Sequence, residues 1–396
     1  MSLNEFARRD NPHNYRKDRA MSIRDDGDGI PKITVVGVGG AGCNAVNRMV
    51  EAQIPGVTFI ACNTDGQALN TSLAPYKLRI GEKVTRGLGA GANPDKGERS
   101  AEESRDEIYE MLRGSDMVFV TAGMGGGTGT GAAPIVAEVA RECGALTVGV
   151  ITKPFRWEGQ RKAQTAEEGI RKLADKVDTL ISVPNARLRE ICPPNLTTKE
   201  AFKFADDVLR QAIQAIANII QAAGEVNVDF NDVRTTMSEA GPALLAIGRG
   251  SGETRASDAA RAATQSPLLD QSIDGAQNVL FCLTHNGSMR LSEMDDAGHV
   301  IAELADPNVN LIWGEVVDPE IGEDVQITLI ATGFQPKAQS LDDPRQVRRI
   351  QDLGLQGVQS MEDAELPAFL RRRIPSLNVV GGGPAGVAVA KLAERR

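Results

Sequence analysis

Short apolar runs recur through the first half of the chain, each followed by a turn and then by a stretch of helical period. Residues 32–38 (KITVVGV), 57–63 (VTFIACN), 116–122 (DMVFVTA), 146–152 (LTVGVIT) and 179–184 (TLISVP) read as strands. Continuous apolar runs, rather than alternating ones, belong to strands buried on both faces. Their alternation with helices predicts a parallel sheet and an α/β fold.

Residues 199–223 read as one long helix in which Ile213, Ile216, Ala217 and Ile220 form a single apolar stripe, ended by Ala222, Ala223 and Gly224. A second unit follows: a strand at 243–248, an alanine-rich helix at 255–265, a strand at 277–285, a further helix, and two strands ending at Phe334. This pattern predicts a smaller α/β domain packed on the long helix. Residues 1–31 are polar and read as a disordered leader; residues 335–360 carry no sustained apolar period and read as a linker.

Composition narrows the function. With 396 residues and 41% hydrophobic content the chain has room for two or three domains, and its formal charge of −9 disfavours a broad surface for nucleic acid or anionic membrane. No signal peptide or membrane span is legible. Five scattered cysteines without CxxC pairs indicate reduced thiols and a cytoplasmic protein, and three scattered histidines support neither a histidine triad nor a histidine metal site.

The chemistry gathers in glycine-rich turns. The run GGGTGTG, residues 125–131, lies between the apolar strand 116–122 and an alanine-rich helix. Such a backbone can turn N–H groups toward a phosphate, aided by the helix dipole and by the hydroxyls of Thr128 and Thr130. It lacks the Gly-Lys-Ser/Thr ending of a Walker loop. Earlier, GVGGAG at 37–42 follows the first strand and fits a dinucleotide fingerprint, with Asp65 at the end of the next strand as its ribose acid. A nicotinamide-dependent oxidoreductase is therefore one reading. A second glycine loop after a later strand favours a triphosphate site. With GLGAGANP (87–94) and NTDGQAL (63–69), four loops are expected along the carboxyl edge of one sheet.

GVGGAGCNAV, NTDGQAL, GLGAGANP, GMGGGTGTGAAP, TKPF and NVDFNDVR occur here in the order in which they stand in the bacterial tubulin homologue FtsZ and its family. From residue 32 to 334 the chain resembles that tubulin/FtsZ GTPase family. The resemblance implies a tubulin-like fold: a parallel Rossmann-like sheet, a long central helix and a second, smaller α/β domain. The expected boundaries are 32–198 for the GTP-binding domain, 199–225 for the helix and 226–334 for the C-terminal domain. It implies GTP and GDP as ligands, Mg²⁺ beside the phosphates, and head-to-tail protofilaments of the bacterial division ring at mid-cell. An accessory paralogue with an altered tail is the alternative within the family.

The same resemblance implies the site residues. Gly39, Gly40, Ala41, Asp65, Ala90, Gly91, Ala92, Gly123, Gly125, Gly126, Gly127, Thr128, Gly129 and Thr130 would enclose the phosphates, Asp207 and Asn44 would read the base, Phe202 would pack on it, and Glu158 would bind ribose. Guanine offers paired N1–H and N2–H donors, which suit one carboxylate. Lys162 stands where an arginine is usual, with Arg161 beside it; Ala186 and Glu225 also depart from the family pattern. From its own residues the segment 227–233 (NVDFNDV) reads as a helix N-cap. The resemblance implies instead that Asp232 positions a water, supported by Asp229 and Asn227, on the GTP of a neighbouring subunit.

Residues 363–373 (DAELPAFLRRR) resemble the family's peptide for membrane tethers and division proteins. The 374–396 extension contains GGGPAG, which has too little chain after it for a dinucleotide-binding βαβ unit.

Overall fold

The computed structural model describes residues 30–334 except 193–194, 222–228, 270–272, 274 and 306–307. The leader up to residue 29, Asn227, Glu225, the end of the long helix at 222–224, the linker, the peptide 363–373 and the extension lie outside the described residues.

The first half runs β1 (Ile33–Val38), α1 (Gly39–Glu51), β2 (Val57–Asn63), α2 (Gly66–Thr71), β3 (Tyr76–Arg79), α3 (Glu82–Thr85), α4 (Pro94–Glu103), α5 (Arg105–Leu112), β4 (Met117–Gly123), α6 (Thr128–Glu142), β5 (Leu146–Lys153), α7 (Gln160–Ala174) and β6 (Thr179–Pro184). Then come α8 (Asn185–Ile191), α9 (Thr198–Gln221), α10 (Phe230–Met237), β7 (Gly241–Gly250), α11 (Arg255–Thr264), β8 (Asn278–His285), α12 (Leu291–Leu304), β9 (Asn310–Val317) and β10 (Val325–Thr332). All are α/β in arrangement, as the apolar pattern predicts.

The strands form one sheet in the order β3-β2-β1-β4-β5-β6-β7-β10-β8-β9. β1 to β7 pair in parallel, β10 is antiparallel to β7 and β8, and β9 is parallel to β8. The second unit thus continues the first sheet through a short β6–β7 pairing, instead of standing as a separate sheet. β1 and β4 are covered on both faces: Val35 and Phe119 point into the core beneath α1 and α9, Val36 and Val120 into the core beneath α4 to α7. A third core lies under α11 and α12.

Helix α9 is 24 residues long, about 36 Å at ~1.5 Å per residue. Its buried stripe includes Val208, Leu209, Ala212, Ile213 and Ile216. That stripe packs with α1 and with side chains of β8 and β10, so one helix backs both parts of the sheet. Among the described residues no helix is long and apolar enough to cross a membrane.

Candidate functional site

The register levels the loops. Val38 pairs with Cys62 on one side and Ala122 on the other, so the chain leaves β1, β2 and β4 at the same height on the carboxyl edge. Strand order reverses between β1 and β4, the place where doubly wound sheets bind ligands. Here a cavity of about 230 Å³ opens, lined by Gly40, Ala41, Gly123, Gly126, Thr128, Gly129, Glu158, Lys162 and Phe202 among the expected residues. Val38, Met124, Thr152, Pro154, Asn185, Ala205 and Asp206 complete it.

Two helices start at this cavity without side-chain caps. α1 follows Val38 and α6 follows Gly127; neither has an acidic residue in its first turn. Their first N–H groups are orphans by geometry, and each helix end carries roughly half a positive charge. A phosphate satisfies both needs. A Cβ added at Gly40 or Gly126 would meet no atom within 4 Å, so the space before these two turns is open. Gly39 has φ +73°, and a Cβ there would stand 2.7 Å from the Gly129 nitrogen: the two loops touch.

By contrast, α2 and α4 supply their own caps. The Asp65 carboxylate accepts from the N–H groups of Gln67 and Ala68, and Asn93 accepts from those of Asp95 and Lys96. Asp65 is therefore occupied locally and does not line the cavity. Ala90 is buried, while Gly91 and Ala92 are exposed with φ of +61° and +58°. These three also lie outside the cavity wall, as do Gly125 and Gly127.

The two threonines of the glycine run divide. Thr130 is buried and its hydroxyl accepts from the Gly125 N–H at 2.8 Å, which holds the loop closed on itself. Only Thr128 faces the cavity, and its Oγ1 lies 2.7 Å from that of Thr64. Glu158 and Lys162 bond to each other, and the other Glu158 oxygen accepts from the Phe155 N–H at 2.8 Å. The lysine thus enters the cavity already partnered.

At the other end of the cavity, the wall is formed by the residue before the expected base reader. Asp207 accepts from Arg210 Nε and Gln211 Nε2, both at 2.6 Å, and does not line the cavity. Asp206 does. It sits four residues after Phe202 and so shares its helix face. Burial pushes the Asp206 carboxyl up to about 7, with Asp207 adding to the rise and Arg48 opposing it. Asn185, 5% exposed, lines the same end, and its Oδ1 is buried with no hydrogen-bond partner among the described residues. Such an orphan costs about 1–3 kcal/mol unless a ligand satisfies it. Asn44, the other expected base contact, is exposed on α1 outside the cavity. Phe202 is 39% exposed and held edge-on by Phe155 and Trp157, at 5.4 and 6.0 Å between ring centroids.

The expected acids lie elsewhere. Asp229 caps α10 by accepting from the Asn231 N–H at 3.0 Å, so the N-cap reading of this residue is correct. Asp232 is exposed in the first turn, and its carboxylate has no partner among the described residues. α10 is anchored at the amino ends of the strands. Arg234 donates to the carbonyl of Gly144, in the turn entering β5, and Thr179, the first residue of β6, donates to that of Met237. The glycine loops stand at the carboxyl ends. β5 and β6 are eight and six residues long, which separates the two sets by about 20–26 Å at ~3.3 Å per residue.

A doubly wound sheet with two uncapped helix starts meeting at its switch point defines a nucleotide-binding protein whose phosphate site rests on backbone dipoles. Its first six strands have the order of a dinucleotide-binding fold as well, so topology alone leaves the nicotinamide reading standing. Sequence and structural relatives decide it. Residues 32–193 match the GTPase domain of the Tubulin/FtsZ family, and residues 241–335 the C-terminal domain of the FtsZ family. A mutant FtsZ from M. jannaschii is 44% identical over 77% of this chain and 92% of its own, with a TM-score of 0.75. An empty FtsZ dimer from the same organism is 42% identical over 82% and 92%, with a TM-score of 0.74. GDP-bound monomeric CetZ1 from Haloferax volcanii, 22% identical over 81% and 98% with a TM-score of 0.67, shares the fold. The chain belongs to the tubulin/FtsZ family and is a tubulin-like cytoskeletal GTPase.

Proposed function

We propose that this GTPase polymerises head to tail in the cytoplasm, at the mid-cell division site, and hydrolyses GTP only where two subunits meet. The carrying observation is the separation of the two half-sites: phosphate-directed helix starts at one edge of the sheet, Asp229 and Asp232 at the other, too far apart to act within one molecule. The M. jannaschii dimer and the protofilament of CetZ2 from Haloferax volcanii are relatives that assemble.

In this reading the α1 and α6 starts and Thr128 hold the phosphates. Phe202 packs on guanine, Asp206 accepts its N1–H and N2–H, and the Asn185 amide meets another edge of the base; Asp206 thus takes the role expected of Asp207. Phosphoryl transfer needs an in-line water and neutralised charge more than covalent chemistry. Asp232, exposed and with its carboxylate unpartnered among the described residues, accepts a hydrogen bond from the water. Asp229 fixes the entry to α10, and Asn227 completes the loop. Bound Mg²⁺ would neutralise charge between phosphate oxygens. Among the described residues no three His, Cys, Asp or Glu side chains converge to cage an ion, so phosphate and water would supply its other ligands. Residues 363–373 serve membrane tethers and division partners, a role supported by their sequence alone.

Phosphate release and light scattering, measured together across protein concentrations, test the proposal. Both should rise above one shared threshold. Asp232→Ala should bind GTP and scatter light but lose at least tenfold in turnover, the scale for removing a water-positioning group. Turnover per molecule that is independent of concentration would refute the composite site.

A further inference from the structure

Near the phosphate end, the Thr64 hydroxyl is buried and bonds across to the glycine run, not within its own loop. It follows β2, is fully buried, and its hydroxyl has one partner among the described residues, Thr128 Oγ1 at 2.7 Å. Its carbonyl, meanwhile, accepts from the Gly89 N–H at 3.3 Å and from Thr85 Oγ1 at 3.4 Å. The backbone of Thr64 therefore ties down the 81–93 loop, while its side chain reaches across 64 positions of sequence to the glycine run.

Each hydroxyl has one proton to donate and room to accept. In the Thr64–Thr128 pair one proton closes the contact and the other is left to point elsewhere. Thr64, being buried, has no other acceptor for its hydroxyl among the described residues, whereas Thr128 lines the cavity. We propose that Thr64 is a positioning residue of the phosphate site: its hydroxyl donates to Thr128 Oγ1, which directs the Thr128 O–H outward to donate to a phosphate oxygen. The chain Thr64 to Thr128 to phosphate is polarised along its length, so each bond strengthens the next. This rests on the nucleotide reading above and adds a residue to it.

Calorimetric titration of nucleotide-free protein with GDP and with guanosine tests the inference. Thr64→Val keeps shape and backbone bonds but removes the donor; GDP affinity should fall about five- to tenfold, the worth of one net hydrogen bond. Thr64→Ser should restore it to within about twofold. Guanosine, lacking phosphate, should bind all variants equally. In a Thr128→Val background Thr64→Val should cost nothing further, since the two act in series. Thr64→Ala, which adds no bulk, is run alongside to carry the test if the valine variant folds poorly. An unchanged GDP affinity, an equal loss for guanosine, or a full additional loss in the Thr128→Val background would each overturn the proposal. Failure of the unsubstituted protein to bind GDP would instead overturn the nucleotide reading.

Discussion

Replacing Asp206 with asparagine isolates the cost of holding a carboxylate at the base end of the cavity. In the folded, nucleotide-free protein the Asp206 carboxyl is raised from 3.8 to about 7, chiefly by burial. At ~1.4 kcal/mol per pH unit this is about 4 kcal/mol. The sign follows from proton counting. Between about pH 4 and pH 7 the folded state holds a proton that the unfolded state has lost, so stability falls as pH rises through that window and is level above it. Asp206→Asn has no proton to lose. At pH 8 it should be more stable than the parent by about 2–4 kcal/mol, after allowance for burying an amide. At pH 4 the two should nearly coincide.

Ligand binding should run the other way, because guanine's paired donors are best met by the ionised carboxylate. GDP affinity of the parent should rise as pH increases through 7, and binding at pH 6 should release most of one proton, falling to none at pH 8. Urea denaturation of nucleotide-free protein from pH 5 to 8 measures the first effect; titration calorimetry in buffers of different ionisation enthalpy measures the second. Parallel stability curves for parent and variant would refute the argument from burial. Equal GDP affinity with no proton release would refute the assignment of Asp206 to the base.

Two further substitutions probe the supports of the fold. Gly125 has φ +97°, and a Cβ there would stand 2.7 Å from the Lys162 backbone oxygen, so Gly125→Ala should destabilise the nucleotide-free protein by about 1–3 kcal/mol. Gly126→Ala, whose Cβ enters open cavity, should leave that stability within about 0.5 kcal/mol while weakening GDP binding; equal melting losses in the two would contradict the geometry. Arg255, nearly buried, joins α11 to Glu293, Ser288 and the Glu323 carbonyl. Arg255→Met leaves Glu293 without its main partner and should cost about 3 kcal/mol by urea denaturation. Because Arg255 holds the Glu293 carboxyl below its ordinary 4.5, the parent should lose this stabilisation as pH falls below that value, a loss the variant should not show.

What was legible in the sequence is what burial writes into consecutive residues. β1, β2, β4, β5 and β6 lie within a residue or so of their apolar runs because both faces of each strand are covered. β3 went unseen because only Leu78 of its four residues is buried, leaving no run to notice. β7 extends beyond its apolar stretch at both ends, where backbone pairing with β6 and β10 continues without apolar side chains. In the site, two of the four glycine-marked loops, 37–42 and 125–131, line the cavity, but glycine density could not assign their hydroxyls: Thr128 and Thr130 differ only in which of them the turn sends inward. Asp65 and Asn93 precede helices and have capping chemistry, which foretells self-satisfaction as readily as ligand binding. That Asp206 rather than Asp207 lines the cavity was decidable in principle. Adjacent helical residues diverge by about 100°, and the four-residue step from Phe202 selects Asp206. Asn185 gave no sequence signal of its own; only a buried oxygen without a donor reveals it.

The arrangement also explains how a chain of charge −9 can hold a polyphosphate. Lys162 reaches the cavity already paired with Glu158, and Arg48, near Asp206, is bonded to Glu51. The attraction therefore falls to backbone N–H groups at two helix starts, whose strength is fixed by the fold. Such dipoles bind without contributing a mobile side-chain cation to follow charge into the transition state. In the proposed composite site bound Mg²⁺ would then supply the charge neutralisation, and the acids at the far edge of the sheet would supply water positioning once another molecule brings them.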